Sequence, residues 1–178
     1  MSPSSAPELV YLGLGGNLGR RARNLSRALL RLSLTPGIHL AGLSRVYETA
    51  AWGVEDQPDF LNMVVAARVE LEPEGLLSLL KAVEAELGRV PGERWGPRPV
   101  DIDILLFGSR TVSTPDLSIP HPYLAERQFV LVPLCDVAPH LLLPDGTPVA
   151  SLAEASDPSL RLVGSLATAL RNEVAGAP

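Results

Sequence analysis

Apolar residues recur along the chain with two different spacings, and the order of these stretches predicts a fold. Alternating or short continuous apolar runs are typical of strands, whereas apolar residues three and four positions apart are typical of one helix face. The predicted elements are, in order, strand 8–15, helix 20–33, strand 38–49, strand 60–71, helix 73–87 and strand 100–108. This β-α-β-β-α-β order is typical of a ferredoxin-like core of the α+β class, with helices packed on the sheet.

Beyond this core we expect a C-terminal extension. Its predicted elements are a hairpin or loop at 110–119 and short helices within 123–135 and at 166–174. Four apolar residues near the end share helical spacing and are expected to pack on the core as one helix: Leu160, Val163, Leu166 and Leu170. Residues 156–178 are interpreted as an extra segment, to which the sequence assigns no function.

Size and composition indicate one globular domain. The chain has 178 residues, of which 46% are hydrophobic and 20% charged, so we expect residues 1–178 to form a single domain. The Ser/Pro-rich residues 1–7 are expected to be disordered. No apolar run approaches the roughly 20 residues that cross a bilayer. The first residues lack the features of a secretory signal, so we expect no membrane partner and a cytoplasmic location.

Charge and cysteine content exclude further classes. The formal net charge of -5 argues against general nucleic-acid binding, which needs a basic face. Cys135 is the only cysteine, which excludes an internal disulfide and a cysteine-built zinc site. Because no strongly apolar exposed stripe is evident, we expect a monomer.

Two carboxylates interrupt the apolar strand in "RWGPRPVDIDILLFG", residues 94–108. Strand alternation places Asp101, Asp103 and Leu105 on one face, and Ile102, Ile104 and Leu106 on the opposite, helix-covered face. Two carboxylates about 7 Å apart repel each other unless a cation lies between them, and their hard oxygens suit Mg²⁺. A solvated edge strand whose aspartates prevent aggregation is the alternative, and the spacing alone does not decide between the two.

The loop before this strand carries three arginines, Arg89, Arg94 and Arg98. Guanidinium groups bind phosphate through paired hydrogen bonds and keep their charge, although a solvated arginine-rich loop is the alternative. The neighbouring aspartates favour phosphate binding. The glycine-rich "GLGGNLG" at 13–19 fits neither the dinucleotide-binding nor the Walker pattern, so we interpret it as a tight strand-to-helix turn in which Asn17 acts as a cap.

Aromatic residues make up only 4% of the chain, yet they concentrate in or beside the predicted loops. These residues are Trp52, Phe60, Trp95, Tyr123 and Phe129. Together with the polar Thr49 and Asn62 they suit a planar heterocycle that is stacked between rings and hydrogen-bonded at its edge, with ordinary core packing as the alternative. His121, in "IPHPY", is either a turn residue or a phosphate donor.

Four segments together resemble the 6-hydroxymethyl-7,8-dihydropterin pyrophosphokinase family of folate biosynthesis. They are "LGLGGNLG", "YETAAWGVEDQPDFLNMVV", "ERWGPRPVDIDILLFG" and "IPHPYLAERQFVLVPLCDVAP". The resemblance implies an α+β ferredoxin-like enzyme that transfers pyrophosphate from the co-substrate ATP to the hydroxymethyl group of the pterin, giving AMP. It also implies two Mg²⁺ ions as cofactor, held by Asp101 and Asp103.

The resemblance further assigns roles to individual residues. The catalytic residues it implies are Asp101, Asp103, Arg89 and Arg98; the ATP-binding residues are Arg94, Trp95, Ile104, Ser118, His121 and Arg127; the pterin-binding residues are Thr49, Trp52, Phe60, Asn62 and Phe129. In that scheme Asn62 reads the ring edge and Phe129 stacks on the ring. Glu84 matches an acidic position near the site but receives no role. The loop "RVPGERW" departs from the family by being one residue shorter than a familiar version.

Two other function classes remain open from the residues themselves. A nucleotidyltransferase that uses the D-x-D pattern would release pyrophosphate rather than AMP. A non-catalytic ligand-sensing domain on the same core would need neither the two carboxylates nor the arginines, and its ligand binding would be insensitive to EDTA.

Overall fold

The computed structural model describes residues 6–51, 56–90 and 96–176. Its elements are β1 Glu8–Gly16, α1 Arg21–Ser33, β2 Ile38–Leu43, β3 Val46–Thr49, β4 Phe60–Val69, α2 Pro73–Glu86, β5 Asp101–Phe107, β6 Val112–Ser113, β7 Ser118–Ile119, a 3-10 turn Leu124–Glu126, α3 Gln128–Val137, α4 Val149–Leu152, β8 Leu160–Gly164 and α5 Leu166–Ala175. No helix in these described ranges is both long and apolar enough to span a bilayer. Most of the N-terminal segment that the sequence predicts to be disordered, residues 1–5, lies outside the described residues.

Six strands form one antiparallel sheet in the order β5-β1-β4-β3-β8, and β2 pairs with β4 further along the same edge as β3. The strand pairs β1–β4, β1–β5 and β3–β4 are all antiparallel. The first six predicted elements therefore occupy the positions expected of a β-α-β-β-α-β core, and the predicted α+β class is confirmed.

The second predicted strand, 38–49, is wrong as a single element because it breaks at Ser44. The Ser44 backbone N–H donates to the Val64 carbonyl at 2.9 Å, and the Ser44 hydroxyl oxygen accepts from the Val64 N–H at 2.8 Å. A side-chain oxygen thus replaces a backbone acceptor, so the regular ladder is interrupted there while β2 and β3 both stay paired with β4.

The helices divide between the two faces of the sheet. The apolar stripes of α1 and α2 pack with one face of β1, β4 and β5 in the main core, whereas α3 covers part of the opposite face. Ile102 and Ile104 lie in the main core, as strand alternation predicts.

The predicted position of Leu106 on this same face is wrong, because β5 contains a register shift. Tyr11 and Leu12 are consecutive in β1, yet they pair with Leu106 and Ile104 of β5, so Leu105 is an extra residue. Such a bulge interrupts the alternation of side chains between the two faces. Leu106 therefore joins Leu105 in the apolar cluster on the α3 side of the sheet.

The C-terminal residues differ from the predicted single helix over positions 160–170. Leu160–Gly164 is the strand β8, which pairs antiparallel with the edge strand β3, and only the residues after Ser165 are helical. Gly164 has a positive φ of 119°, and the Ser165 side chain accepts the Thr168 N–H, so the helix begins after this turn. Pairing with an open sheet edge outweighs the helical spacing of the apolar residues.

Candidate active site

A cleft of about 690 Å³, including its open mouth, lies on the α3 side of the sheet. Its floor contains Gly13 and Gly15 of β1, which pair with Asp103 and Asp101 of β5 respectively. Because glycine has no side chain, neighbouring side chains lie directly against this floor: a Cβ atom on Gly13 would be 3.3 Å from a methyl carbon of Leu105. Both aspartates line the cleft, as their strand alternation predicted.

The glycines also permit close approaches that a larger residue would prevent. A Cβ atom on Gly15 would lie 2.6 Å from the Asn62 Oδ1 atom, and one on Gly16 would overlap the Pro99 carbonyl oxygen. Residues 13–16 belong to the strand β1 rather than to a tight turn, which corrects that part of the interpretation of "GLGGNLG". Glycine inside a strand is itself a signal of close approach, and it was available in the sequence.

Asp101 is held by two arginines. The Arg89 guanidinium forms an ion pair with the Asp101 carboxylate, and Arg98 Nε lies 3.3 Å from Asp101 Oδ2. Burial works against ionisation of Asp101, but the charges of Arg98 and Arg89 outweigh it and hold its pKa below the ordinary value. Asp101 is therefore a stable anion that orients both predicted catalytic arginines.

The electrostatic environment of Asp103 differs from that of Asp101. Its side chain is 37% exposed, and the exposed part faces the cleft. Burial by the surrounding cleft walls and repulsion from Asp101 raise the pKa of Asp103 to about 7. The described residues contain no cluster of three or more His, Cys, Asp or Glu side chains suited to a metal. Two carboxylates match Mg²⁺, which takes one or two protein carboxylates and completes its shell with water and phosphate oxygens.

Glu84 of α2 is buried behind this pair, with 1% of its surface exposed. Its Oε1 atom accepts the Ile102 backbone N–H at 2.7 Å, and its Oε2 atom lies 2.6 Å from Arg89 Nη1. Burial and the charge of Asp101 raise the pKa of Glu84. Glu84 thus anchors both Arg89 and the strand between the aspartates. Its burial is indicated in the sequence by its position on the apolar face of α2, four residues after Leu80, but its two partners are not.

His121 lies beside Asp103. Its Nδ1 atom accepts the Tyr123 N–H at 3.2 Å, and its Nε2 atom is 3.9 Å from Asp103 Oδ2. Burial and the nearby Arg127 charge lower the pKa of His121 to about 4, so the ring is neutral at pH 7. With Nδ1 as acceptor, the remaining proton is on Nε2, which makes this atom a hydrogen-bond donor.

The other half of the cleft is mainly apolar. Phe60 and Phe129 line it, and the buried Asn62 and Thr49 are joined by a 2.8 Å hydrogen bond from Asn62 Nδ2 to Thr49 Oγ1. The guanidinium carbon of Arg127 lies 5.7 Å from the centre of the Phe129 ring. This half therefore combines aromatic rings with a fixed polar pair, as the sequence predicted for a planar ligand.

Asn17 connects the two halves instead of capping α1, which corrects its predicted role. Its Nδ2 atom donates to Gln57 Oε1 and to the Pro58 carbonyl, both at 2.9 Å, and its Oδ1 atom accepts the Arg98 N–H at 2.9 Å. Arg98 in turn lies over the Phe60 ring, with its guanidinium carbon 5.4 Å from the ring centre. Arg98 thus contacts both the carboxylate half and the aromatic half.

The remaining predicted residues lie in different places. Ile104 packs in the main core on the opposite face, so any contact it makes with a ligand in the cleft would use its backbone. Ser118 is exposed on β7. Trp52, Arg94 and Trp95 lie outside the described residues.

The family profile and the similar proteins all point to one enzyme family. The sequence profile of 7,8-dihydro-6-hydroxymethylpterin-pyrophosphokinase (HPPK) matches residues 11–139. The 2-amino-4-hydroxy-6-hydroxymethyldihydropteridine pyrophosphokinase of Methylorubrum extorquens is 47% identical over 150 residues, covering 84% of this chain and 94% of that protein. The protein of the same name from Synechocystis sp. is 39% identical over 178 residues, covering 93% and 91% of the two chains.

Solved structures show the same fold. The crystal structure of Plasmodium falciparum HPPK-DHPS with pteroate superposes with a TM-score of 0.70 at 14% identity, covering 88% of this chain and 48% of that chain. At this identity the likeness shows the fold alone. The chain spans about half the length of that solved protein.

Proposed function

Because this chain belongs to the HPPK family and is a pyrophosphokinase of folate biosynthesis, we propose here the residues and the metal through which it works. The reaction transfers a pyrophosphoryl group to hydroxymethyldihydropterin, and the family uses ATP. The bond that forms joins the hydroxymethyl oxygen to the β-phosphorus of ATP, and the bond that breaks joins this phosphorus to the oxygen retained by AMP.

The observation that carries the site assignment is the pair of carboxylates beside a glycine floor, next to an aromatic pocket. Asp101 and Asp103 would hold two Mg²⁺ ions. Both carboxylates lie on the same face of β5, and their hard oxygen atoms are the ligands that Mg²⁺ prefers. When bound, such ions neutralise phosphate charge and orient the reacting groups. The raised pKa of Asp103 supports a cation here, because a positive charge offsets its repulsion from Asp101.

The arginines would bind and orient the triphosphate. Arg89 is fixed from behind by Glu84, and Arg98 is fixed through its backbone by Asn17. Guanidinium groups that are already fixed lose little conformational entropy when phosphate binds. Their positive charge is then in place to stabilise the negative charge of the transition state.

Further nucleotide contacts are assigned around these arginines. His121, through its Nε2 proton, and Arg127 would supply donors close to Asp103. The family resemblance supports assigning four more residues to the nucleotide: Arg94, Trp95, Ile104 and Ser118.

The apolar half would bind the pterin. The Asn62–Thr49 pair presents polar atoms to the ring edge, and Phe129 and Phe60 supply aromatic surface. The resemblance adds Trp52 to this pocket.

The two ligands would meet at Arg98, which lies over Phe60 and beside Asp101. The hydroxymethyl group of a ring bound in the apolar half would therefore face the phosphate-binding half. Catalysis then depends mainly on positioning and on charge.

Product analysis tests the proposal. Purified protein is incubated with ATP, Mg²⁺ and 6-hydroxymethyl-7,8-dihydropterin, with and without EDTA. We expect AMP and pterin diphosphate in equal amounts, and no AMP when EDTA is present. Release of pyrophosphate instead of AMP would indicate a nucleotidyltransferase, and EDTA-insensitive turnover would exclude the proposed metal role.

We further propose that residues 1–178 act as one domain and as a monomer in the cytoplasm, where ATP and Mg²⁺ are available. The carboxylate half and the aromatic half of the cleft are both built by one chain, so the site needs no second copy. Light scattering at enzyme concentrations used for turnover tests this, and a mass of twice 18.9 kDa would contradict it.

A further inference from the structure

The C-terminal unit, residues 160–175, comprises β8 and α5 and lies beyond residues 11–139, which the family profile matches. β8 pairs with β3 so that Leu160 is opposite Thr49 and Arg161 is opposite Glu48. Ala169 of α5 is buried in the main core. The unit is therefore packed directly beside a strand that carries a residue of the proposed pterin pocket.

Glu173 of this unit caps another helix. Its Oε1 atom accepts the Ala22 N–H at 2.9 Å, and its Oε2 atom accepts the Arg23 N–H at 3.2 Å. The N-cap of α1, Arg20, makes no capping hydrogen bond through its side chain, and the first turn of α1 has no acidic residue. Helix N-termini need acceptors for their free N–H groups and favour negative charge, so Glu173 supplies from α5 what α1 lacks.

The first turn of α1 carries Arg21, which contacts two residues that directly precede residues of the pocket. Arg21 Nη1 donates to the Asp59 carbonyl at 2.7 Å, and Arg21 Nη2 lies 2.8 Å from Glu48 Oε1. Asp59 directly precedes Phe60, and Glu48 directly precedes Thr49. A shift of the α1 terminus would therefore be transmitted through Arg21 to the residues that directly precede Phe60 and Thr49.

We propose that Glu173 is a positioning residue for the pterin pocket, acting through the N-terminus of α1 and Arg21. The inference rests on the pterin pocket proposed above. It gives the C-terminal unit a role in substrate affinity in addition to its packing on the core. In the nucleotide half, Arg89 is anchored by Glu84 of α2 rather than by α1, so we expect ATP binding to depend on this contact less than pterin binding does.

Steady-state kinetics of Glu173→Ala test the inference. We expect the KM for the pterin to rise about threefold, while kcat and the KM for ATP change less than about 1.5-fold, because Glu173 contacts the N–H groups of Ala22 and Arg23 and none of the residues proposed to bind the phosphates. Arg20→Asp in the Glu173→Ala background should restore the pterin KM. Aspartate at the N-cap accepts the N–H groups of the second and third helical residues, which are the two that Glu173 binds.

Glu86→Ala is the matched control, since it removes a glutamate that pairs with Arg31 at the other end of α1, at 2.7 Å. It should leave both KM values unchanged. An unchanged pterin KM in Glu173→Ala, a parallel loss of kcat and both affinities, or no restoration by Arg20→Asp would each overturn the inference. Phe129→Ala separates this from failure of the pocket itself: if Phe129→Ala also leaves the pterin KM unchanged, the pocket assignment is wrong and the inference falls with it.

Discussion

The two halves of the cleft differ in the interactions between their side chains. In the aromatic half, Asn62 and Thr49 are hydrogen-bonded to each other, and the rings lie beside them. In the carboxylate half, Asp101 and Asp103 lie on the same strand face and repel each other, which contributes to the raised pKa of Asp103. The polar groups of the aromatic half are paired by a hydrogen bond, whereas the carboxylate half contains two like charges that repel each other.

This difference has a consequence for ligand binding. The aromatic half offers a preformed surface, so its affinity depends on ring contact and hydrogen-bond geometry. The affinity of the carboxylate half depends on cations, pH and ionic strength. Arg98 lies over Phe60 on one side and beside Asp101 on the other, so it is the point at which binding to one half can be communicated to the other.

The largest expected effect comes from removing charge in the carboxylate half. We expect Asp103→Ala to lower kcat at least about 100-fold, because a preorganised charge of this kind contributes several kcal/mol to transition-state stabilisation. The pterin affinity, measured by calorimetry without ATP, should change little. Asp116→Ala, at an exposed position between β6 and β7, is the control. Near-normal turnover by Asp103→Ala would contradict the division between the halves.

A smaller loss of activity is expected when the contact that anchors Arg89 in the carboxylate half is weakened. Glu84→Gln keeps the shape of the side chain but removes the charge that faces Arg89 at 2.6 Å. We expect kcat/KM for ATP to fall about tenfold, as typical for loss of a buried charged contact worth about 1.5 kcal/mol. Glu74→Gln, on the first turn of α2, serves as the control. A fall in kcat/KM for the pterin alone would assign Glu84 to the other half.

The aromatic half is tested by Phe129→Ala. We expect the KM for the pterin to rise about tenfold, since loss of ring contact costs roughly 1–2 kcal/mol, while the KM for ATP changes less than about twofold. The comparison is made at saturating concentrations of the second substrate. Equal changes in both KM values would show that the two halves do not bind separate ligands.

The same contrast explains how far the sequence alone could lead. The shared face of Asp101 and Asp103 and the β-α-β-β-α-β order follow from periodicity, because strand alternation determines which side chains share a face. The start of α2 at Pro73 follows from a local signal as well, because proline is favoured in the first turn of a helix. These features depend on neighbours in the chain, and local pattern is sufficient for them.

Long-range contacts were not predictable in this way. The break at Ser44, the role of Asn17 between two loops and the strand β8 all depend on partners 20 or more residues away. A helical spacing over residues 160–170 is overridden when an open sheet edge is nearby, and no local signal reports that edge.

The smallest expected effect is on the stability of the protein, and it tests the raised pKa of Asp103 in the carboxylate half. With the pKa of Asp103 raised to about 7, the folded protein keeps this carboxyl protonated at pH values where the unfolded chain has lost the proton. Folding then takes up a proton, so the free energy of unfolding falls as pH rises from about 4 and levels off above about 7. Asp103→Asn removes this penalty.

We therefore expect Asp103→Asn to raise the Tm of the ligand-free protein by a few degrees at pH 8, and by less at pH 4.5, in EDTA. The gain is modest because 37% of the Asp103 side chain is exposed and solvent screens its charge. Differential scanning calorimetry of the variant, the wild type and Asp116→Asn makes the measurement. An equal Tm difference at both pH values would mean that burial and the charge of Asp101 do not raise the pKa of Asp103 in the folded protein.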